Sequence, residues 1–388
     1  MESIKDIEKI LQEISKTIED DASYEQIMSS MCTPPPKIAR EIAGLFAEKN
    51  LGDPGLFPQT IRLEKEVLET LASFLHAPKG WIGTTTSGGS ESNLLGCWAA
   101  RNWSQKKKEI EKGKIIFPMS AHVSFEKAAD ILGLQIVWAP LNDNYQVNIE
   151  KLNELINPDT VGLVGIAGTT GTGACDNIQA LNDLAEDHEL YLHVDAAHGG
   201  MILPFLDKLG LESPIFDFRN SNVSSITIDT HKIFGNIIPG GSIIFRSKEF
   251  TNTIKKKVEY LADSNTEQLT ITGTRPATPV IAAWVLLKKF GEDYILSRVK
   301  YSLDMTSYIV QRLQEIPEII VSFEPPLNII GFTTNVMTNQ ELVEQLQQKG
   351  WQLSLYAHWI RIVVMPHMTK KAINHFILDL RTILKEGA

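Results

Sequence analysis

Cysteine is scarce: Cys32, Cys97 and Cys175 are the only three in a chain of 388 residues. An odd number without metal-ligand spacing argues against a disulfide framework and favours a reducing, cytoplasmic setting. Each is read as a small buried hydrophobe. Long apolar runs are missing as well. No stretch approaches the roughly 18 to 20 apolar residues of a transmembrane helix. The opening Met1-Glu2-Ser3-Ile4-Lys5-Asp6 has no basic segment followed by an apolar run, so neither a signal peptide nor a membrane anchor is expected. Basic charge is in deficit, with 37 Lys and Arg against 47 Asp and Glu and a net charge of -10 at pH 7. That balance disfavours nucleic acid and anionic membranes as partners. Lys106-Lys107-Lys108 and Lys255-Lys256-Lys257 are short and read as solvated faces. No internal repeat or low-complexity tract is evident.

What is present is enough apolar material, 43% of residues, to bury a large core in two domains or in one with an appendage. Ile4, Ile7, Ile10, Leu11, Ile14 and Ile18 recur at helical spacing, so the chain should begin with an amphipathic helix that could cover a partner subunit. Met31-Cys32-Thr33-Pro34-Pro35-Pro36 and Leu51-Gly52-Asp53-Pro54-Gly55-Leu56-Phe57-Pro58 bracket a short helix with irregular segments. From about residue 84 to 246, β-branched runs alternate with helical stretches, which predicts a mainly parallel α/β sheet. The strands are expected at 114–117, 135–138, 161–166, 191–194, 224–228 and 242–245. A long helix should follow Pro279. After Pro325-Pro326 the pattern reads strand, helix, strand, helix, ending at 372–384.

Ligands of such sheets gather at the carboxyl ends of strands. Two of those ends stand out: Asp195, followed by Ala196-Ala197-His198-Gly199-Gly200, and the corner Asp229-Thr230-His231-Lys232. An acid and a lysine on neighbouring strand ends suggest pyridoxal phosphate (PLP). The lysine would be the nucleophile, and the carboxylate would keep a pyridine nitrogen protonated so that the ring stays an electron sink. His122 follows an apolar strand to the same edge and could stack on a flat ring. Ser87-Gly88-Gly89-Ser90 leads into a helix, where free backbone N–H groups favour an anion.

Gly168-Thr169-Thr170-Gly171-Thr172-Gly173 satisfies neither G-x-G-x-x-G nor G-x-x-x-x-G-K-[ST], so NAD and ATP are disfavoured. Its threonines could hydrogen-bond a cofactor ring oxygen, and a plain polar turn stays open. His193, Asp195 and His198 allow a competing reading as ligands of a metal-dependent hydrolase. No second cluster completes that shell, so no metal is assigned.

Four separated motifs resemble the PLP-dependent group II amino-acid decarboxylases, in particular the archaeal-type L-tyrosine/L-aspartate decarboxylases. They are Leu51-Gly52-Asp53-Pro54-Gly55-Leu56-Phe57, Ser87-Gly88-Gly89-Ser90-Glu91, Ala121-His122-Val123-Ser124-Phe125-Glu126-Lys127 and Arg361-Ile362-Val363-Val364-Met365-Pro366-His367. The resemblance implies a type I PLP-dependent transferase fold: a mainly parallel seven-stranded sheet with a smaller C-terminal α/β domain. It also implies a homodimer with shared active sites. The implied division is 1–50 as a helical segment and dimer clasp, 51–280 as the PLP-binding domain, and 281–388 as linking helix and small domain.

Carried over by motif, Lys232 would bind the cofactor covalently, Asp195 would face the pyridine nitrogen and His122 would stack on the ring. Gly89, Ser90 and His231 would hold the phosphate, Thr170 and Ala197 would contact the ring, and Gly273 and Thr274 would reach the phosphate of the other subunit. Tyr260 would be a proton donor to the neighbouring site. Arg361 would meet the substrate carboxylate, with a structural ion pair equally open. Phe57-Pro58-Gln59-Thr60 looks like a segment of bacterial glutamate decarboxylases, which makes Phe57 and Thr60 substrate-side candidates.

Three departures from the family pattern stand at Ser90, Thr230 and His198, and His198 is expected to alter pocket charge. The implied activity is decarboxylation of tyrosine, aspartate or glutamate to an amine. A PLP-dependent carbon-carbon lyase, a decarboxylation-dependent oxidase and a catalytically silent PLP-binding protein remain alternatives.

Overall fold

A computed structural model describes residues 4–110 and 113–387. The chain opens with helix α1 (Ile4–Thr17). Ile7, Ile10, Leu11 and Ile14 of its apolar face are all exposed, as is Ile18 just beyond it, while the side chain of Ile4 lies outside the described residues. Helix α2 (Lys37–Leu45) follows the proline run, and α3 (Pro58–Phe74) starts on Pro58, where a missing N–H costs nothing.

A seven-stranded sheet then builds the large body. Its strands are β1 (Ile82–Thr86), β2 (Lys114–Pro118), β3 (Gln135–Ala139), β4 (Thr160–Ile166), β5 (Tyr191–Asp195), β6 (Val223–Asp229) and β7 (Gly241–Phe245), in the order β1-β7-β6-β5-β4-β2-β3. Neighbours from β3 to β6 are parallel, whereas β7 runs antiparallel to both β6 and β1. The six expected strands fall within a residue or so of their places. β1 was expected only as a polar lead-in to a helix, and its three threonines instead pair with β7.

Every residue of β4, β5, β6 and β7 is buried, as a sheet covered on both faces requires. On one face α4 (Gly89–Lys108) and α5 (Ser124–Leu132) pack on Ile115, Phe117, Val164 and Phe245. The opposite face buries Ile116, Leu163, Leu192 and Ile226 under α2, α3 and α7, after the short α6. Helix α6 is Ile149–Leu155 and α7 is Ile178–Asp187; each is capped by an asparagine side chain, Asn148 and Asn177.

Beyond β7 come the single turn α8 (Lys248–Thr251) and a two-stranded arm, β8 (Lys256–Lys257) with β9 (Glu267–Gln268). The long α9 (Thr278–Gln314) bends at Gly291, whose φ of 63° breaks the helical ladder. Its second half joins an antiparallel sheet in the order β10-β11-β13-β12: β10 (Ile319–Val321), β11 (Ile329–Thr334), β12 (Ser354–Tyr356) and β13 (Trp359–Val363). Helices α10 (Asn339–Gln348) and α11 (Lys370–Gly387) cover this sheet through a core of Ile330, Phe332, Ile360, Leu346, Phe376 and Leu380. After Pro326 this end reads strand, helix, two strands, helix. The second hairpin strand was missed because Tyr356 and Trp359 flank a two-residue turn between short strands, too short a span to show a period.

Candidate active site

The carboxyl ends of β4, β5 and β6 and the first residues of β7 and α4 meet at one edge of the large sheet. Register places Asp195 beside Thr227 and pairs Asp229 with Gly241. A cavity of about 270 Å3 opens there. Its lining includes Gly89 and Ser90, His122, Thr170, Asp195, Ala197 and His198, and His231 and Lys232. Nine residues separated widely in sequence are thus brought together.

Asp195 is held by neutral donors. Its Oδ2 accepts from Asn93 Nδ2 at 2.9 Å, and its Oδ1 accepts from the Ala197 N–H at 3.0 Å. Because a carboxylate can only accept, the Asn93 amide is fixed, and its Oδ1 must be the acceptor for His193 Nε2 at 3.1 Å and Thr227 Oγ1 at 2.8 Å. His193 therefore carries its proton on Nε2, and Nδ1 accepts from Ser225 Oγ at 2.7 Å, which in turn accepts from the Tyr191 hydroxyl at 2.8 Å. Burial pushes the His193 pKa down to about 4, so the ring is neutral at pH 7. His193 supports Asn93 rather than binding a ligand.

The same amide reaches His122. Asn93 Nδ2 also donates to Ser124 Oγ at 3.0 Å, leaving that hydroxyl to donate to His122 Nδ1 at 3.0 Å; the Ser124 N–H lies 3.2 Å from the same nitrogen. His122 thus presents Nε2–H. Burial holds its pKa below the usual value, with Asp195 opposing that shift and Lys232 reinforcing it.

Lys232 lies beyond the end of β6, in a turn closed by Gly240. The Thr230 N–H donates to the Gly240 carbonyl at 2.8 Å, and Thr230 Oγ1 bonds the same oxygen at 3.1 Å. A proline at 230 would forfeit the first of these bonds. Lys232 Nζ sits 3.4 Å from Asp229 Oδ2.

These residues fit a phosphorylated pyridine aldehyde. At the start of α4, Gly88 has φ 144°, a region that disfavours side chains, and a Cβ on Gly89 would lie 2.9 Å from that of Ala197, so bare backbone N–H groups line the helix end. His231 Nδ1 donates to the Gly240 carbonyl at 2.8 Å. Burial works against a charge on His231, but the Cys32 side chain, Asp229 and that carbonyl outweigh it and raise its pKa. An anion seat, an oriented carboxylate and a lysine therefore share one cavity of suitable size.

His198 corrects one expectation. Its Nε2 donates to Asn328 Oδ1 at 2.8 Å, since the Asn328 Nδ2 is committed to the Val364 carbonyl at 2.8 Å. Burial, reinforced by Lys232, drives its pKa down to about 3, so at neutral pH it contributes polarity and no charge. His193 and Asp195 are both held by Asn93, and His198 is held by Asn328. Among the described residues no three His, Cys, Asp or Glu side chains converge as a metal shell.

Other expected residues lie elsewhere on this chain. Arg361 is not on the cavity wall: its guanidinium donates to the carbonyls of Thr170 at 2.8 Å and Ser29 at 3.2 Å. Phe57 directly precedes α3, and Thr60 is buried within the helix. Gly273 lines a separate cavity with Arg275, which bridges Glu64 at 2.9 Å, and Thr274 packs near Gly52. Tyr260 lies in the arm between β8 and β9, 87% exposed. Sequence reasoning missed Asn93, Ser120, Asp229 and Asn328. The first three line the cavity, and only Asp229, inside the flagged lysine corner, carried any signal.

Residues 2–335 match the family model described as the pyridoxal-dependent decarboxylase conserved domain. The chain is 43% identical over 380 residues to an L-aspartate decarboxylase of Thermococcus kodakarensis, covering 97% of each. It is 42% identical to an L-aspartate/L-glutamate decarboxylase of Pyrococcus horikoshii, again over 97% of each chain. It is 38% identical to a probable L-tyrosine/L-aspartate decarboxylase of Methanosphaera stadtmanae, covering 93% of this chain and 92% of the relative. Among solved structures, a sphingosine-1-phosphate lyase of Burkholderia pseudomallei superposes with a TM-score of 0.89 at 27% identity, covering 98% of this chain and 91% of that one. A Lactobacillus brevis glutamate decarboxylase superposes with a TM-score of 0.88 at 24% identity, covering 100% and 93%, and shows the shared fold. With PLP, the type I fold and the cavity chemistry in agreement, the chain belongs to the pyridoxal-dependent decarboxylases and is an enzyme that removes carbon dioxide from an amino acid.

Proposed function

We propose that this enzyme decarboxylates a short acidic L-amino acid, aspartate ahead of glutamate or tyrosine, and that the cavity residues carry the roles their positions suggest. The observation that carries this reading is the convergence of Lys232, Asp195, His122 and the α4 N-terminus on one cavity. Relatives named for aspartate are more than 40% identical over nearly the whole chain, against 27% for the lyase, which favours decarboxylation over carbon-carbon cleavage of another kind.

Bound PLP supplies an aldehyde to accept the substrate amine and a ring to accept the electrons of the broken carbon-carboxylate bond. Lys232 holds the cofactor between turnovers. Asp195, oriented by Asn93 and Ala197, would pair with the ring nitrogen and favour its protonated form. His122 would stack on the ring, and Gly89, Ser90 and His231 would hold the phosphate. Thr170 and Ala197 would contact the ring, and His198 supplies an uncharged polar boundary. Arg361, tied to the Thr170 carbonyl, positions that threonine and stands behind the substrate carboxylate.

We further propose a homodimer with shared sites. The exposed Tyr260 and the segment Gly273-Thr274 would serve the partner's cavity, and Phe57 and Thr60 would border the substrate from the adjoining surface. The exposed apolar face of α1 supports its role as a clasp within 1–50, ahead of a PLP domain over 51–280 and a linking helix and small domain over 281–388. A cytoplasmic setting is supported by three free cysteines, and no helix among the described residues is long and apolar enough to cross a membrane.

The test is to incubate the PLP-loaded protein with a mixture of the common amino acids and identify the product by mass spectrometry. β-Alanine is the expected amine. An aldehyde with peroxide, or no amine from any of the three candidates, would overturn the assignment.

A further inference from the structure

The cavity contains two buried carboxylates with different surroundings. Asp195 has two neutral hydrogen-bond donors and no ammonium at ion-pair distance. Asp229 is 1% exposed, has Oδ1 without a partner, and has Lys232 Nζ at 3.4 Å from Oδ2. Among the described residues, His231 Nε2, at 3.9 Å, is the other basic nitrogen near that oxygen. The carboxylate cannot turn away, because Gly89 and Gly241 enclose it: a Cβ on Gly89 would lie 3.1 Å from Oδ2, and one on Gly241 would lie 2.7 Å from Oδ1. A buried carboxylate so confined needs a cation, and the lysine is the cation it meets.

We propose that Asp229 is a positioning residue that receives the Lys232 ammonium whenever that lysine is not joined to the cofactor, leaving Asp195 free for the ring nitrogen. The proposal deepens the reading of Lys232 as the cofactor-bearing residue and rests on it for its meaning. The division of labour follows from geometry. The carboxylate on β5 has one neutral donor on each oxygen and acceptor capacity to spare, and the one at the end of β6 is three residues from the lysine and shares its turn.

The other groups facing Lys232 are His231 from its own turn, Asp195 from β5, His198 from the turn after β5, and His122 from the loop before α5. Behind these, Arg361 acts on His198 and Lys127 on His122. Asp195 is the one alternative anion, so it provides the control.

The experiment measures the reactivity of Lys232 in the full chain stripped of PLP. The chain is trace-labelled with acetic anhydride from pH 6 to 11, and the peptide bearing Lys232 is quantified by mass spectrometry. An amine reacts only when unprotonated, and an opposite charge at this range favours the protonated form. Asp229→Asn should therefore raise labelling about tenfold on the acidic limb, moving the half-maximal pH down by about one unit. Asp195→Asn should change labelling less than about threefold. Asp229→Glu, which keeps the charge, should restore most of the wild-type profile, and Asp229→Ser repeats the test if the amide variant fails to fold.

Equal profiles for Asp229→Asn and wild type, or a larger shift from Asp195→Asn, would overturn the proposal. Because labelling is read without cofactor or substrate, it is independent of the decarboxylase reading. That reading fails separately if Lys232→Ala retains a borohydride-reducible PLP adduct.

Discussion

The Asn93 amide stands 2.9 Å from the Asp195 carboxylate and ties it to His193, Thr227 and, through Ser124, to His122. One side chain on α4 thereby orients both the carboxylate on β5 and the imidazole before α5. Asn93→Ala should leave several buried polar groups short of a partner. The expected result is a loss of about 1–3 kcal/mol in stability and a cofactor affinity weakened at least about tenfold. Urea unfolding of the cofactor-free chain and PLP titration by absorbance would measure the two effects separately.

Gly241 faces Asp229 across the β6–β7 register, and a Cβ there would lie 2.4 Å from the Gly88 Cα. Gly241→Ala should push the α4 entrance outward and spoil the phosphate seat. We expect a cost of about 1–3 kcal/mol from overpacking and a selective loss for PLP over pyridoxal, which lacks the phosphate. A variant binding both with wild-type preference would show that the seat lies elsewhere.

Two buried neutral histidines give stability a pH dependence. The pKa of His193 falls to about 4 and that of His198 to about 3 from an ordinary 6.5, burial being the main cause in both. Their folded forms bind fewer protons than the unfolded chain. The associated stability is fully present above pH 6.5 and is lost as pH falls through the interval down to 4 for His193 and 3 for His198. Each should contribute a slope of up to about 1.4 kcal/mol per pH unit within its interval. Urea midpoints from pH 7 to 5 should therefore fall, and His198→Phe should remove its share of the slope whatever it does to the absolute level.

Tyr260 is far out on the β8–β9 arm, and its proposed place in the neighbouring site makes a complementation test decisive. Tyr260→Phe and Lys232→Ala should each be nearly inactive alone. Unfolded together and refolded as an equal mixture, they should recover about a quarter of wild-type activity, because half the dimers are mixed and each of those has one intact site. If Tyr260 served its own chain, the mixture would recover nothing.

The strands and the two marked corners were legible in the sequence because β-branched runs ending on polar residues keep their meaning without tertiary context. β1 was not, since Thr84, Thr85 and Thr86 lie directly before the glycine turn and resemble its approach. Asn93 was invisible for a different reason: it gains its role from Asp195, His193 and Thr227, all at least 100 positions later. The neutrality of His198 was not legible, because burial of an imidazole cannot be read from its neighbours in the chain. Asp229 was in view inside the lysine corner, but its lack of neutral donors is a property of the surrounding glycines.

The reversed strand β7 gives the lysine a particular kind of mounting. Since Asp229 and Gly241 face each other in adjoining strands, Lys232 hangs from a hairpin whose two legs lie inside the sheet, between β5 on one side and β1 on the other. To drift from its station the residue would have to unzip interior ladders. The amides of β6 and β7 that carry it should thus rank among the slowest of the chain to exchange hydrogens with solvent, while the arm carrying Tyr260, anchored by one short strand pair, exchanges early.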